Sequence, residues 1–212
     1  KEWFKWANPH NILDNLYAEG KIQPMIVVMP NGRAMKDDRS VGNIFDKDKV
    51  EAFATFEKDL LNDLIPFIDK KYPTLTDKDN RAIAGLSMGG GGTLWIGLTR
   101  SDFWAAIAPV CPAPPPGTDI YFPNAANVPV HLFQGDADPV VRVEGTRKIV
   151  EAIRQTGTTL AYDEYPNVQH DSWVNAYQNG AIFEWFKPFK RNRFPEKVTL
   201  TTSQMRYSKA FW

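Results

Sequence analysis

Gly85-Leu86-Ser87-Met88-Gly89 is the stretch that decides the fold, and three more glycines follow it directly. Residues 81–84 before it form a short, mainly apolar run typical of a buried strand, and residues 93–98 after it have the composition of a helix. Strand, G-x-S-x-G and helix in this order predict a turn that holds a reactive serine at the strand tip. Because the turn is so sharp, we expect glycine to be required both two residues before and two residues after Ser87, whose backbone should be strained.

Length and composition predict a single globular domain. The chain has 212 residues, 43% of them hydrophobic and 24% charged, which is enough to build one core. Its 25 basic side chains are balanced by 25 acidic ones, so neither nucleic acid nor an anionic membrane surface is expected as a partner. No apolar run approaches the roughly 18 residues of a membrane span, and no signal peptide is visible. Composition leaves the compartment and the oligomeric state open.

Apolar runs and helical stripes alternate along the chain. The predicted strands cover residues 25–29, 81–84, 105–110, 129–133 and 160–165. The predicted helices cover residues 8–19, 50–68, 93–98, 143–155 and 172–190. Pro66 should kink or split the second helix, and residues 33–46 are predicted to form a loop. The alternation predicts an α/β chain with a mainly parallel sheet flanked by helices.

The character of the sequence changes after the last predicted helix. Residues 1–192 are therefore predicted to form one domain and residues 193–212 a separate tail. Within the tail, residues 198–202 are β-prone. They are predicted to be either an extra edge strand or the first strand of a further domain.

A serine hydroxyl becomes a nucleophile when a base takes its proton, and an acid orients that base. The sequence contains three histidines: His10, His131 and His170. His131 falls within an apolar strand and is expected in the core, while His10 lies near the start of the first helix. His170 follows the last predicted strand and directly precedes a helix start. We therefore predict that His170 is the base.

Two aspartates follow the preceding strand and are candidates for the acid. Asp138 is preferred because it comes after the loop has turned and directly before a new helix. Asp136 is expected to cap the turn by accepting hydrogen bonds from backbone amides. The chain order Ser87, Asp138, His170 is the order found in the α/β-hydrolase fold. The sequence thus predicts a catalytic triad on that fold.

The single cysteine, Cys111, excludes an internal disulfide. It lies at the end of an apolar strand and is expected to be a small buried hydrophobe rather than a nucleophile. A serine triad also works without other reagents. We therefore expect neither a metal nor an organic cofactor.

Four segments within residues 1–112 carry a family resemblance: Asn11-Ile12-Leu13-Asp14-Asn15-Leu16, Gly20-Lys21-Ile22, Val27-Val28-Met29-Pro30-Asn31-Gly32 and Ala82-Ile83-Ala84-Gly85-Leu86-Ser87-Met88-Gly89-Gly90. They resemble the esterase D and feruloyl esterase group, the first family of carbohydrate esterases. Residues 133–141 and 169–173 also resemble polyhydroxybutyrate-depolymerase-like and prolyl-oligopeptidase-like hydrolases. The resemblance implies an α/β-hydrolase that acts on acetyl or feruloyl esters of xylan. It also favours a secreted or periplasmic location.

The sequence departs from that family at the oxyanion hole, the set of amides that binds the reacting oxyanion. In the family, a strand ending in His-Gly and a glycine-rich loop come before the segment that matches residues 1–6, and the loop supplies one amide. The other would be the Met88 N–H. Since the loop is absent here, we expect the chain to be an internal piece of a longer protein. By analogy, the missing strand would separate the strands at residues 25–29 and 81–86 and leave both with unpaired edges.

Three functions follow from these observations. The first is a serine carboxylic-ester hydrolase in which Trp173, beside the base, binds the acyl group of the ester. Trp95 and Phe103, behind the serine turn, are further candidates for that contact. The alternative is that these aromatic residues belong to the core, an interpretation at least as strong for Trp95. The alternatives are a prolyl-oligopeptidase-type serine peptidase and a non-catalytic binding module on a hydrolase scaffold.

Overall fold

The protein is described by a computed structural model that covers residues 8–32, 34–37, 42–43 and 46–211, without the side chains of Val50, Phe53 and Ala54. The α-helices are α1 (Pro9–Ala18), α2 (Lys47–Lys58), α3 (Ile65–Lys71), α4 (Met88–Thr99), α5 (Val143–Arg154), α6 (Trp173–Tyr177) and α7 (Ala181–Phe186). The strands are β1 (Ala82–Leu86), β2 (Ala106–Val110), β3 (Val130–Gly135) and β4 (Leu160–Tyr165). Residues 1–6 and part of the predicted loop at 33–46 lie outside the described residues.

The four strands form one parallel sheet in sequence order, from β1 to β4. Ala82 is paired with Ala106 at the start of β1, and Val130 is paired with Leu160 at the start of β3. β2 and β3 are buried along their whole length, whereas β1 and β4 at the two edges are largely half-buried. Four of the five predicted strands and the parallel sheet are thus confirmed. Because the strands are parallel, the loops that follow β1, β3 and β4 leave the same edge of the sheet.

The helix α5 illustrates how the flanking layer forms. Its buried side chains recur at helical spacing and are Val143, Thr146, Ile149, Val150 and Ile153. Each buried aliphatic side chain contributes about 1.5–3 kcal/mol, so this face holds the helix against its neighbours.

Within the described ranges, no helix is long and apolar enough to cross a bilayer.

The helix predicted over residues 172–190 is divided in the structure. A short 3₁₀ helix, Gln178–Gly180, separates α6 from α7, and Asn179 and Gly180 have left-handed φ angles of 54° and 74°. A Cβ atom on Gly180 would lie 2.2 Å from Leu16 Cδ1. The glycine therefore turns the chain and lets α1 approach closely, which interrupts the predicted helix.

The chain divides into two compact units, Met25–Asp77 and the remainder. In the smaller unit, α2 continues into a π-helical segment, Asp59–Leu64, directly before α3. Pro66 lies at the start of α3. Proline lacks an N–H and clashes with the carbonyl four residues earlier, which a wider π turn relieves. The helix is therefore not split at Pro66 but changes type ahead of it, and the predicted kink stays a prediction.

The strand predicted at residues 25–29 is wrong. These residues form neither a helix nor a strand, and they have no strand partner among the described residues. Four of the five side chains are exposed, with Ile26 the most accessible at 48%. A strand is stabilised by its ladder of hydrogen bonds, and an apolar run without a paired neighbour cannot form one. Among the described residues β1 pairs only with β2, so its other edge is unpaired as expected, while the second strand expected at that gap is not formed.

The C-terminal tail forms no strand over residues 198–202. Its backbone is held by two asparagine side chains of the 3₁₀ helix Thr118–Asn127. Asn127 exchanges hydrogen bonds with the Thr199 backbone, and Asn124 does so with the Thr201 backbone. Further along, the Tyr207 ring is buried. The tail belongs to the larger unit rather than forming a separate body.

Candidate active site

Ser87 lies at the sharp turn between β1 and α4. Its backbone angles are φ 55° and ψ −118°, a region that non-glycine residues occupy at a cost of about 1–3 kcal/mol. The Ser87 N–H donates to the Val110 carbonyl over 2.9 Å, and the Ser87 carbonyl accepts from the Ala113 N–H over 3.1 Å. These contacts with the end of β2 and the loop after it hold the strained residue. The side chain is half-buried, so a substrate can reach the hydroxyl.

The two glycines of the motif do not have equal roles. A Cβ atom on Gly85 would lie 2.3 Å from the Gly89 carbonyl oxygen, whereas a Cβ atom on Gly89 meets nothing within 4 Å. Gly89 takes part in this contact only through its carbonyl group, and the space in which its own Cβ atom would lie is open. The prediction that glycine is required at both positions is therefore correct for Gly85 and wrong for Gly89.

Two of the following glycines are required by packing that the motif does not reveal. A Cβ atom would lie 2.4 Å from the Val110 oxygen at Gly90 and 2.0 Å from the Ala113 oxygen at Gly91. The start of α4 thus lies against the backbone of the loop after β2. Glycine normally destabilises a helix by about 0.5–1 kcal/mol relative to alanine, so several glycines in a row at a helix start need a compensating reason. The glycine run was therefore the feature of the sequence that indicated this close approach.

His170 lies on the loop between β4 and α6 and is bonded on both ring nitrogens. Its Nε2 is 2.8 Å from Ser87 Oγ, and its Nδ1 is 2.8 Å from Asp138 Oδ2. The His170 side chain is 23% exposed, and that of Asp138 is fully buried. The structure therefore brings together the serine, histidine and aspartate selected from the sequence in a continuous hydrogen-bonded chain.

Asp138 has both carboxylate oxygens satisfied. Oδ1 accepts from the backbone N–H groups of Val140 and Val141 over 2.8 and 2.9 Å. Oδ2 accepts from Gln134 Nε2 over 3.1 Å and faces His170 Nδ1. Burial by itself raises the pKa of Asp138, but the hydrogen bonds from His170 and from the Val141 and Val140 amides outweigh it and lower the pKa below its ordinary value. Asp138 is therefore ionised at neutral pH.

Asp136 lies on the same loop as Asp138 and binds a backbone amide. Its side chain is exposed and accepts the Asn167 N–H over 2.6 Å. Asn167 has a left-handed φ of 60°. Asp136 therefore ties together the loops after β3 and β4, as a backbone cap.

The other two histidines lie outside this chain of hydrogen bonds. His131 is buried, stacks on Phe133 at 3.9 Å and has its Nε2 2.9 Å from Asp163 Oδ2. Burial lowers the pKa of His131 and the neighbouring Asp163 opposes that shift. His10 is exposed on α1. His131 is thus a core residue, as predicted.

Cys111 is buried behind His170. Its Sγ donates to the His170 carbonyl over 3.5 Å, and burial raises the pKa of the thiol to about 11. Cys111, Asp138 and His170 offer three metal-ligand atoms within 4.8 Å of one another. A thiolate, not a thiol, ligates metals, and both His170 nitrogens are already hydrogen-bonded. These residues fit proton transfer better than metal binding.

An open pocket of about 480 Å³ lies against His170. It is lined by Asn167, Val168, Gln169, His170, Asp171, Trp173, Val174 and Asn175. The Trp173 ring meets the His170 ring edge-to-face, with centroids 5.5 Å apart. Trp173 is therefore placed as predicted, beside the base and at an open surface.

The other two aromatic candidates are placed differently. Trp95 packs edge-to-face on Tyr121 at 5.2 Å. Phe103 lies under the Lys78 ammonium, 4.1 Å from the ring centroid. Neither ring lines the pocket beside His170.

Met88 is the first residue of α4. The first four amides of a helix have no acceptor within the helix, and they lie at its positive end. The Met88 N–H therefore belongs to a group suited to binding an anion next to Ser87.

Comparison with known families and proteins gives consistent matches. The sequence profile of the Esterase family matches residues 1–179. An endo-1,4-beta-xylanase/feruloyl esterase of Xylanibacter ruminicola is 40% identical over 149 residues, which are 69% of this chain and 19% of that protein. The chain thus spans about a fifth of the length of that relative.

Solved structures show a similar fold. The CE1 ferulic acid esterase of Anaeromyces mucronatus without substrate is 26% identical with a TM-score of 0.68, over 82% of this chain and 68% of that chain. The same enzyme in complex with ferulic acid gives 23% identity with the same TM-score and coverage. A further ferulic acid esterase is 21% identical with a TM-score of 0.68, over 88% of this chain and 79% of that chain.

Proposed function

Because the chain belongs to the Esterase family and has the α/β-hydrolase fold, we propose that it is a serine carboxylic-ester hydrolase that works through an acyl-enzyme. The observation that carries this proposal is the chain of two 2.8 Å hydrogen bonds from Ser87 through His170 to Asp138. A base within this distance can take the hydroxyl proton as the serine attacks.

In the proposed acylation, Ser87 Oγ bonds to the ester carbonyl carbon while its proton moves to His170 Nε2. The carbonyl oxygen becomes an oxyanion, which the Met88 N–H stabilises. The bond to the alcohol oxygen then breaks, and His170 gives its proton to the departing alcohol. Asp138 holds Nδ1–H and stabilises the imidazolium formed between these steps.

Deacylation follows the same route with water. His170 takes a proton from water as the water oxygen bonds to the acyl carbon. Collapse of the second tetrahedral intermediate breaks the bond to Ser87 Oγ, which recovers its proton from His170. The products are an acid and an alcohol, and the cycle requires neither a metal nor an organic cofactor.

We propose acetyl or feruloyl esters of plant polysaccharide as the substrates. The names of the relatives, a xylanase/feruloyl esterase and ferulic acid esterases, support this substrate class. In this chain, Trp173 offers an accessible aromatic surface next to His170. A planar feruloyl group would gain apolar burial and ring contact there.

A fluorophosphonate probe tests the reaction class, since only an activated serine is labelled. We expect labelling of the parent chain and none of the Ser87→Ala variant. Methyl ferulate, p-nitrophenyl acetate and a prolyl anilide then test the substrate. Cleavage of the anilide alone would contradict an esterase in favour of a peptidase, and absence of labelling would contradict any serine hydrolase.

A further inference from the structure

We infer that Gln134 and Thr146 are positioning residues that hold the carboxylate of Asp138 for His170, an inference that rests on the proposed function. Gln134 is the fifth residue of β3 and is fully buried. Its Nε2 donates to Asp138 Oδ2 over 3.1 Å, and its Oε1 accepts from Thr146 Oγ1 over 2.9 Å. A hydrogen-bonded chain therefore runs from Thr146 on α5 through Gln134, Asp138 and His170 to Ser87.

The surroundings fix the orientation of the Gln134 amide. Its Nε2 faces three acceptors: Asp138 Oδ2, the Gly135 carbonyl at 3.1 Å and the Val141 carbonyl at 2.9 Å. Exchanging the amide nitrogen and oxygen would direct an acceptor at all three. Thr146 is also buried and supplies the matching donor on the other side. The amide is thus held with its donors directed at the acid.

The oxygen held by Gln134 is the one that faces His170. Asp138 Oδ1 is held by the Val140 and Val141 amides, and Oδ2 is held by Gln134 and His170. A carboxylate has about four acceptor positions, so all of them are used. Without Gln134, Oδ2 would depend on His170 alone. Gln134 therefore restricts rotation of the carboxylate during proton transfer.

Gln134 also bridges the Gly135 and Val141 carbonyls, so a purely structural role in closing the loop must be separated from positioning. Gln134→Met keeps the side-chain length and removes every donor. We expect kcat to fall by about ten- to a hundredfold with KM within about twofold, because a misplaced catalytic group affects the reaction rather than binding.

The pH dependence of kcat in Gln134→Glu separates positioning from a purely structural role, which would leave that dependence unchanged. When protonated, the introduced carboxyl donates to Asp138 as the amide does, and burial beside a carboxylate raises its pKa. Across the pH range in which kcat of the parent is constant, we expect the variant to be most active at low pH. Its activity should fall as pH rises and the introduced proton is lost.

Thr146→Val removes only the distal donor and keeps the shape. We expect kcat to fall roughly fivefold, with recovery in Thr146→Ser. Thr99→Val is the matched control, since Thr99 is a buried helix threonine whose hydroxyl donates to the Trp95 carbonyl over 2.7 Å. In the Gln134→Met background, Thr146→Val should cause no further loss of kcat, because the two residues act in series.

An unchanged kcat in Gln134→Met would overturn the inference, and so would a pH dependence of kcat in Gln134→Glu that is parallel to that of the parent. If the parent is labelled and active, the proposed serine esterase function stands in either case. If the parent is neither labelled nor active, the proposed function fails, and NMR of the His170 Nδ1 proton then tests positioning. A sharp proton signal in the parent that broadens in Gln134→Met supports the inference, and identical signals contradict it.

Discussion

The serine turn, residues 85–91, and the acid–base loops, residues 136–142 and 166–172, differ in how far side chains contribute to holding them in place. In the serine turn the contacts are between backbones: the Ser87 N–H to the Val110 carbonyl, and glycine faces against carbonyl oxygens. The acid–base loops have backbone contacts too, such as the Ala137 N–H to the Val168 carbonyl, but side chains add to them: Gln134 donates to Asp138, and Cys111 donates to the His170 carbonyl.

This difference determines what each region tolerates. Backbone contacts survive a change of side-chain polarity but not added volume, because a Cβ atom would overlap a carbonyl. Side-chain contacts survive a change that preserves donors and acceptors, but a lost donor leaves a buried acceptor unsatisfied, at about 1–3 kcal/mol. The serine turn should therefore be sensitive mainly to size, whereas the acid–base loops should be sensitive to polarity as well.

Removing the reacting group from either region should have the largest effect. Ser87→Ala and His170→Ala are each expected to lower kcat by about 10⁴-fold or more, because the triad acts as a unit. Both variants should unfold at a temperature close to that of the parent by circular dichroism. Turnover within about tenfold of the parent in either variant would remove that residue from the mechanism.

The two aspartates provide a matched pair within one acid–base loop. Asp138→Asn should lower kcat by about 10³–10⁴-fold, because an amide no longer stabilises the imidazolium and favours the wrong tautomer. Asp136→Asn should leave kcat unchanged and lower the free energy of unfolding by about 1 kcal/mol, the value of a local cap. Steady-state kinetics and denaturant unfolding measure both. The reverse pattern would assign the acid to Asp136.

Gly85 and Gly89 provide the corresponding pair within the serine turn. Gly85→Ala should destabilise the fold by about 1–3 kcal/mol and lower kcat on the order of 10²-fold, since the turn must shift. Gly89→Ala should leave kcat unchanged and stabilise α4 by about 0.5–1 kcal/mol, because its face is open. Thermal unfolding and kinetics of both variants check this. Equal damage would mean that the motif requires both glycines.

The site was largely predictable because its residues follow strand ends. Ser87, Asp138 and His170 each lie in the segment that follows a run with clear strand character, and parallel strands bring such segments to one edge. Gln134 and Thr146 were not predictable in the same way, since each is an ordinary residue until the fold brings β3 and α5 together. The available signal was one amide at the end of an otherwise mainly apolar strand.

Elsewhere, local sequence misled where structure depends on a partner. Residues 25–29 are at least as apolar as β3, yet among the described residues β3 lies between two strands and residues 25–29 lie beside none. The β-prone residues of the tail are paired with the Asn124 and Asn127 side chains instead of a strand. A run of apolar or β-branched residues indicates a preference for extended backbone, but it does not indicate which strand would pair with it.

Trp173, at the start of α6 directly after an acid–base loop, tests whether this region also selects the acyl group. Trp173→Leu should lower kcat/KM for methyl ferulate by about three- to tenfold and leave that for p-nitrophenyl acetate within about twofold, because only the planar acyl group gains ring contact. Val174→Ala, in the same pocket, is the control and should change neither. An equal loss with both esters would show that Trp173 supports His170 rather than the substrate.

The smallest expected effect is on the free energy of unfolding at low pH, and it arises from the hydrogen bonds to the ionised carboxylate of Asp138. The folded-state pKa of Asp138 is lowered, because the hydrogen bonds from His170 and the Val141 and Val140 amides outweigh burial. A lowered pKa stabilises the folded state above the unfolded value of about 3.9, and this contribution is lost as pH falls through the folded pKa. The difference in unfolding free energy between the parent and Asp138→Asn should therefore shrink from about pH 5 downward. His170→Ala removes the hydrogen bond that lowers the pKa of Asp138 most, so in that background this pH dependence should be weaker. A difference that stays constant or widens in acid would show that the acid–base loop is not held by the charge of Asp138.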